Sequence, residues 1–579
     1  MRHAGRSAAL FLMGVLLAAC DGAADPSGPE TLEPADAIWS GGVILTMNDA
    51  QPEAEALAVR DGRILAVGDR DRIETAHLGP ETRRIDLQGH TLLPGFVDAH
   101  SHFSFVAIQA VAANLLPPPD GPVNAIEELQ AVLRSSIETS PLVAETGVVI
   151  GFDYDDSQLA EQRHPDRHDL DAVSTELPIL LIHQSGHLGV YNSLALARAG
   201  ITAETPDPPG GTIHRDADGV PTGLMDENAH FAALGANLPR FTAEQMHRML
   251  GEAQLLYAAN GFTTVQDGRT DPGGLVVLEN AADAGVFELD VVAYPDLEMN
   301  ADNPALAGPR MSRDYRDHFR LGGVKLTLDG SPQGKTAWFT APYLEPPAGA
   351  PADYAGAALL SDEAAGAIVD RAFSEDWQLL VHANGDAAID QMIRLVRAAA
   401  AKHPGTDRRP VLIHGQYLRR DQIPELVELG IFPALFPMHT FYWGDWHRSS
   451  VAGPERATFI SPTAAVQQAG LHFTIHSDAP VTFPNSMRLL HSAVNRTTRS
   501  GVVLGPDQRI DVTTALKAMT LWAAEQHFEE DRKGSLEVGK LADLVVLSGN
   551  PLTTAPEDLM SLRVLETVKA GEEVYAAAP

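Results

Sequence analysis

The chain has 579 residues, 44% of them hydrophobic and 21% charged, with a formal net charge of −35. Its length argues against one small core, its composition excludes wholesale disorder, and its charge sets aside nucleic acid and anionic lipid as primary partners. The single cysteine, Cys20, excludes an intrachain disulfide framework and a thiolate-bound zinc, so any metal must be held by His, Asp, Glu or a modified Lys.

In chain order, residues 1–19 carry Arg2 and Arg6 around the start of a short apolar stretch, 8–19. This is the shape of a secretory signal, too short to span a bilayer. It ends in Leu17-Ala18-Ala19-Cys20, which resembles a bacterial lipobox. The resemblance implies that Cys20 is lipidated and becomes the first mature residue. The protein would then be anchored to a membrane of the bacterial cell envelope, extracytoplasmic, on the periplasmic face or the cell surface. The plainer alternative is a cleaved signal with an incidental Cys. Residues 20–36 are rich in Pro, Gly and acids without apolar period, and read as a flexible tether.

Residues 37–90 read as short strands broken by Gly and Asp-Gly turns (AIWSGGVILTM, ALAVRDGRILAVG, RRIDLQG). The segment 506–579 opens with a helix and then has the same texture, in KGSLEVGKLADLVVLSGNP and LRVLETVKAGEEVY. The two ends are expected to form one small β-sandwich.

Between them, 91–505 alternates short apolar strands with amphipathic helices. LPILLIHQ, GFTTVQD, LDVVAYPD, LGGVKLTLDG, WQLLVHANG, RPVLIHGQ, IFPALFP and HFTIHSD read as buried parallel strands. Helices are expected at 362–375, 386–402 and 420–429. About eight such strands predict an α/β fold with a (β/α)8 TIM-like barrel. An open dinucleotide-binding sheet would be expected to show a G-x-G-x-x-G turn, and there is none. Residues 103–255 are too many for one connection and read as an insertion over the barrel mouth, with a strand at 177–184.

The polar residues at the strand ends carry the chemistry. The first strand closes with Asp98-Ala99-His100-Ser101-His102. Later strands carry Lys325, His382, His414 and Asp478 at the same end. A strand repeats every two residues, so His100 and His102 present two imidazoles to one cation while Ser101 points away. His382 and His414 add two imidazoles. Asp478 adds a hard anionic ligand and a proton acceptor. Such donors suit Zn²⁺ and also Fe²⁺, Mn²⁺ or Ni²⁺.

PGFVDAHSH and GSLEVGKLADLVVLSGNP together resemble the signatures of the metal-dependent amidohydrolase superfamily. The closer likeness is to its amidohydrolase-3 branch, which includes N-substituted formamide deformylases. It is carried by GHLGVYNSLALARAGI (186–201), PTGLMDENA (221–229), VKLTLDGSPQGKTAWFTAPY (324–343), HANGDAAID (382–390) and HSDAPVTFPNS (476–486), and runs from about 37 to 575. The resemblance implies that His100, His102 and Asp478 hold a first metal, and His382 and His414 a second. It also implies that Lys325 is CO₂-modified and bridges the two. If Lys325 is unmodified and paired with an acid such as Asp329, one metal is expected.

The expected reaction is hydrolysis of a carbon–nitrogen bond in a small linear amide, an N-substituted formamide or N-acyl compound. Metal-bound hydroxide would attack, with Asp478 as general acid and base and no covalent acyl-enzyme. The rivals are hydrolysis of a cyclic amide, lactone or amine with the same metals, and a metal-free binding lipoprotein. Nothing in the sequence fixes the oligomeric state.

Weaker candidates remain. His187 and Asn192 match the branch pattern and either reach substrate or serve loop structure. His476 shares a face with Asp478 only if its strand stays regular. Asp386 is expected to cap a helix or to orient a ligand. Ser331 and Lys335 are candidate substrate contacts. In PMHTFYWGDWH (437–447), Phe441, Tyr442, Trp443 and Trp446, with His439 and His447, either line a pocket or pack a long loop.

Overall fold

The computed structural model describes residues 33–347 and 349–578. The expected signal segment, Cys20 and most of the tether lie outside the described residues. Among the described residues no helix is long and apolar enough to cross a membrane.

Both ends of the chain build one eight-stranded sheet. Ala37–Leu45, Glu53–Arg60, Arg63–Gly68, Arg83–Asp86 and Thr91–Pro94 come from the N-terminal side. Leu544–Leu547, Val564–Lys569 and Glu572–Ala576 come from the other. The turn between the second and third strands places Asp61 and Gly62 at φ 49° and 71°, the left-handed pair that an Asp-Gly hairpin turn supplies. Thr91–Pro94 is the seam, antiparallel to Leu544–Leu547. The N-terminal half of this sheet therefore extends past residue 90. Trp39, Leu57, Leu92, Leu544 and Val546 form its core.

The middle of the chain contributes parallel strands, labelled here β1 (Phe96–Val97), β2 (Phe262–Thr270), β3 (Asp290–Pro295), β4 (Phe319–Leu321 and Gly323–Thr327, interrupted at Gly322), β5 (Gln378–Ala383), β6 (Val411–His414), β7 (Phe432–Leu435) and β8 (Thr474–Ile475). They lie in two sheets, β1 to the first piece of β4 and the second piece of β4 to β8, each in sequence order. A bridge between Asp296 and Lys325 joins the sheets on one side. On the other, Asp478 N donates to His100 O (3.1 Å) and His102 N to Ala479 O (2.7 Å). β5 and β6 are buried at every position, which is why their sequences show continuous apolar runs instead of alternation. Helices Asp362–Ser374, Asp386–Lys402 and Ile423–Leu429 fall where the amphipathic stretches placed them.

Two expectations need correction. The strand in LPILLIHQ, Ile179–His183, does not join this parallel set. It lies in a six-stranded sheet of the insertion, parallel to Val149–Tyr154 and antiparallel to Leu188–Tyr191. All five of its residues are buried, so apolarity alone made it look like the other parallel strands. The insertion is also narrower than 103–255. Phe103 and Val106 of one helix, and Met249, Leu250 and Tyr257 of helix Ala243–Ala258, belong to the main core. That last helix opens on a capping box between Thr242 and Gln245. The insertion keeps its own apolar clusters.

Candidate metal centre

Five of the strand ends converge. His100 Nε2 and His102 Nε2 lie 3.4 and 3.3 Å from Asp478 Oδ1. His414 Nδ1 lies 3.8 Å from Asp478 Oδ2. His414 Nε2 faces His382 Nδ1 at 2.9 Å, and Lys325 Nζ lies 3.0 Å from His100 Nε2. The six predicted ligand residues thus stand together, and Lys325, His100, His382, His414 and Asp478 are buried. The alternative for Lys325, an ion pair with Asp329, is not made. Asp329 instead accepts from the backbone N–H groups of Trp338, Asn384 and Gly385.

The backbone is shaped to turn these side chains inward. His414 and Asp478 adopt φ 74° and 55°, a left-handed conformation that non-glycine residues hold mainly where surrounding structure and function require it. Gly268, on β2, faces His100 closely. A Cβ there would lie 2.2 Å from His100 Cε1.

Gln266 fixes the tautomer of His100. Its Nε2 donates to Ala99 O (2.7 Å), which directs its Oε1 at His100 Nδ1, 2.5 Å away. Nδ1 must therefore carry the proton, and the Nε2 lone pair faces Lys325 and Asp478. This is the outer-shell arrangement that orients metal-ligating imidazoles. Gln266 was not legible in the sequence: it stands beside Asp267 on β2, and a glutamine is not a ligand type that marks a metal site.

Burial holds His100, His382 and His414 well below the usual imidazole range, helped for His100 by Lys325 and for His414 by His382. Burial likewise takes His476 down to about 3 and Lys325 down to about 7. The imidazoles are thus neutral and offer lone pairs. His414 Nδ1, Asp478 Oδ1 and both ring nitrogens of His476 are buried with no hydrogen-bond partner among the described residues. Buried polar atoms are almost always paired, so these unpaired atoms mark a place for a ligand, and the carboxylate oxygen and imidazole lone pairs among them suit a positive centre. The separations of 3.3–3.8 Å are near the roughly 3.3 Å expected between donors about 2.0–2.1 Å from one tetrahedral ion. The residues fit a divalent metal.

A second group, Asp155, Asp156 and His183, also gathers donor atoms within 4.8 Å, but its chemistry differs. Ser185 N donates to His183 Nδ1 (3.0 Å). The imidazole proton therefore sits on Nε2 and is donated to Asp156 Oδ1 (3.1 Å). That is a hydrogen-bonded pair with no free imidazole lone pair.

The weaker candidates separate. His187 joins the site: its ring is 5.7 Å from that of His382, and its Nδ1 is 2.9 Å from Glu227 Oε2. Burial disfavours the charged form of His187, but the Glu227 carboxylate outweighs it and raises the pKa. Glu227, like Gln266, was missed. His476 packs into the cluster, edge-on to His100 at 5.3 Å and tilted to His414 at 5.2 Å between ring centres. Asn192 does not face substrate. Its Oδ1 accepts from Ile179 N and Ala195 N, and its Nδ2 donates to Ser174 O and Leu177 O, which makes it a helix cap. Asp386 is the first residue of its helix and not the cap, and it binds Thr340 and Arg419. Ser331 accepts from Gly334 N within its own turn, and Lys335 Nζ lies 4.8 Å from the Trp446 ring centre. Trp443 Nε1 donates to Asp155 (2.7 Å) and Tyr442 O–H to Asp120. These aromatics therefore tie helix Met438–Trp446 to the insertion. His439 and His447 bond to one another, and His447 also bonds Tyr417 O–H.

Parallel strands whose ends gather neutral imidazoles and a carboxylate define a metal-dependent hydrolase of α/β fold. Comparisons agree. The amidohydrolase family model Amidohydro_3 matches residues 83–575. The N-substituted formamide deformylase of Arthrobacter pascens is 28% identical over 90% of this chain and 94% of its own. The Arabidopsis thaliana protein LONG AFTER FAR-RED 3 is 28% identical over 93% and 92%. The structure of an uncharacterized metal-dependent hydrolase from Pyrococcus horikoshii superposes with a TM-score of 0.71 over 90% of this chain and 99% of its own, at 22% identity. The chain belongs to the amidohydrolase family, in its amidohydrolase-3 branch, and is a hydrolase of carbon–nitrogen bonds.

Proposed function

We propose that this enzyme hydrolyses a linear amide, an N-substituted formamide or N-acyl compound. Its β1–β8 set would act as one (β/α)8 barrel carrying a terminal β-sandwich. His100, His102 and Asp478 would hold one divalent ion, and His382 and His414 a second, with zinc the first choice and Fe²⁺, Mn²⁺ or Ni²⁺ fitting the same donors. The observation that carries this reading is the set of unpaired buried carboxylate and imidazole atoms around Asp478. The formamide and N-acyl preference is supported by the deformylase relative.

A bound ion supplies Lewis acidity, polarising a carbonyl and acidifying water. The chain's own residues do the rest. Asp478 accepts the proton of the attacking water and returns it to the departing nitrogen. Gln266 holds His100 in one tautomer. Glu227 holds His187 toward the His382 side of the site, where the imidazole contacts substrate. For the two-ion form, Lys325 carries a carbamate: the ε-ammonium loses one proton, and the free amine then adds CO₂ and releases a second, so a cation becomes an anion. Its burial and the lack of any carboxylate hydrogen-bonded to Nζ among the described residues support this. Cys20 is the proposed lipid attachment at the cell envelope, tested by fatty-acid labelling of the wild type against Cys20→Ala.

Metal analysis combined with turnover tests the reading. Purified enzyme should contain one or two equivalents of a divalent metal, and should release amine from linear formamides or N-acyl compounds faster than it opens lactams or lactones. A preference for the cyclic compounds overturns the linear assignment. A protein that takes up no metal overturns the site.

A further inference from the structure

Arg269 is a cation that the chemistry above does not use. It follows Gly268 on β2, whose N–H donates to Ser101 O between the two first-strand imidazoles (2.7 Å). Its guanidinium is fixed from two directions. Nε donates to Asp296 Oδ2 at 3.0 Å, and Cζ lies 4.9 Å from the Phe231 ring centre. Asp296 is itself buried and bridged to Lys325. Phe231 is 6.4 Å from His187, which is 5.7 Å from His382, between ring centres. Arg269, Phe231 and His187 therefore form a continuous wall beside the metal ligands.

The anchoring leaves the useful end of the side chain free. Asp296 takes only Nε, and its other oxygen accepts from Glu298 N. Neither Nη of Arg269 has a hydrogen-bond partner among the described residues, and the side chain is 31% exposed. A held guanidinium with both Nη groups open matches a planar carboxylate, which takes two parallel N–H donations about 2.7–2.9 Å long. Little ordering entropy is left to lose on binding, because Asp296 and Phe231 have already fixed the plane.

We propose that Arg269 is the specificity determinant for a carboxylate on the substrate, so that the compounds cleaved are N-acyl amino acids and related amides bearing an acid. The proposal rests on the amide-hydrolase reading and names its substrate class. Phe231 and His187 would flank the chain between that carboxylate and the scissile bond.

N-benzoylglycine and N-benzoylglycinamide differ only at the proposed contact and are achiral. Their binding is measured calorimetrically to the metal-free enzyme, which cannot turn them over, with and without Arg269→Gln, and their turnover is measured in the zinc-loaded wild type. The acid is expected to bind at least about tenfold more tightly than the amide. Arg269→Gln should erase that difference while leaving amide binding within about threefold, and Arg269→Lys should keep part of it. Equal binding of acid and amide, no binding of the acid at millimolar concentration, or an equal loss for both compounds on Arg269→Gln overturns the proposal. If the Arg-dependent preference holds but neither compound nor any N-acyl amino acid is hydrolysed, the amide-hydrolase reading fails and the carboxylate site stands.

Discussion

Replacing Gln266 with Leu should weaken metal binding while sparing the metal-free fold. Gln266 is fully buried, and Leu is close to it in volume. In the wild type, His100 Nδ1–H donates to Gln266 Oε1 at 2.5 Å. Without metal, the variant's imidazole can move its proton to Nε2, so no buried N–H need be stranded. With metal on Nε2 that escape is closed, and Nδ1–H is buried without an acceptor. An unmet buried donor costs about 1–3 kcal/mol, and loss of such an outer partner typically lowers metal affinity by about 10- to 100-fold. Ala99 O loses the Gln266 amide but keeps Gln526 Nε2 at 2.6 Å, so the segment before His100 stays tethered. Zinc affinity is measured by competition with a chromophoric chelator, and melting is followed with and without zinc. The expected result is a 10- to 100-fold loss of affinity with a nearly unchanged metal-free melting temperature. Affinity within threefold of wild type, or an equal fall in melting temperature with and without metal, would refute the tautomer argument.

Other expectations follow from the same geometry. Asp478→Asn should reduce turnover by about 10²- to 10⁴-fold, with circular dichroism unchanged; retained turnover would remove Asp478 from proton transfer. Gly268→Ala would place a methyl 2.2 Å from His100 Cε1, so metal content should fall while secondary structure persists, and full metal occupancy would show that His100 has room to move. Burial disfavours the Glu529 carboxylate, but Lys533 and Arg320 outweigh it and hold its pKa at about 2. Such a depressed carboxylate stabilises the fold fully above its ordinary value of 4.5, and that contribution is lost as pH falls toward 2. Denaturation at stepped pH should therefore fall less steeply in Glu529→Gln than in wild type between those values; parallel curves would contradict the assignment.

The strand-end ligands were legible in the sequence because each sits at a change from apolar to polar, and because period two ties His100 to His102. Their partners were not. Gln266 and Glu227 act on His100 and His187 across 166 and 40 residues of chain; a glutamine signals no metal site, and Glu227 opens a helix of the insertion, away from the strand ends. Asn192 misled for the opposite reason. It lies inside a family-like motif, yet its side chain closes the start of helix Ser193–Arg198. Ile179–His183 misled because a strand buried on both faces has the same apolar run in a parallel sheet as in a mixed one.

The positions that carry the ligands also join the first strand to the last. His100 O accepts from Asp478 N, and His102 N donates to Ala479 O. The two imidazoles and the carboxylate are thus attached to the same short backbone seam whose hydrogen bonds set their separations. In a strand these imidazoles would share a face by period alone, but the structure ends β1 at Val97. What aims them at Asp478 is the seam, together with the antiparallel bridge of His102 to Asp267 and the Gln266 bond to His100. The motif is therefore as much a joint between strands as a pair of ligands, which gives Gly268 and Gln266 a physical reason to be what they are: one leaves room for the ring, and the other holds it.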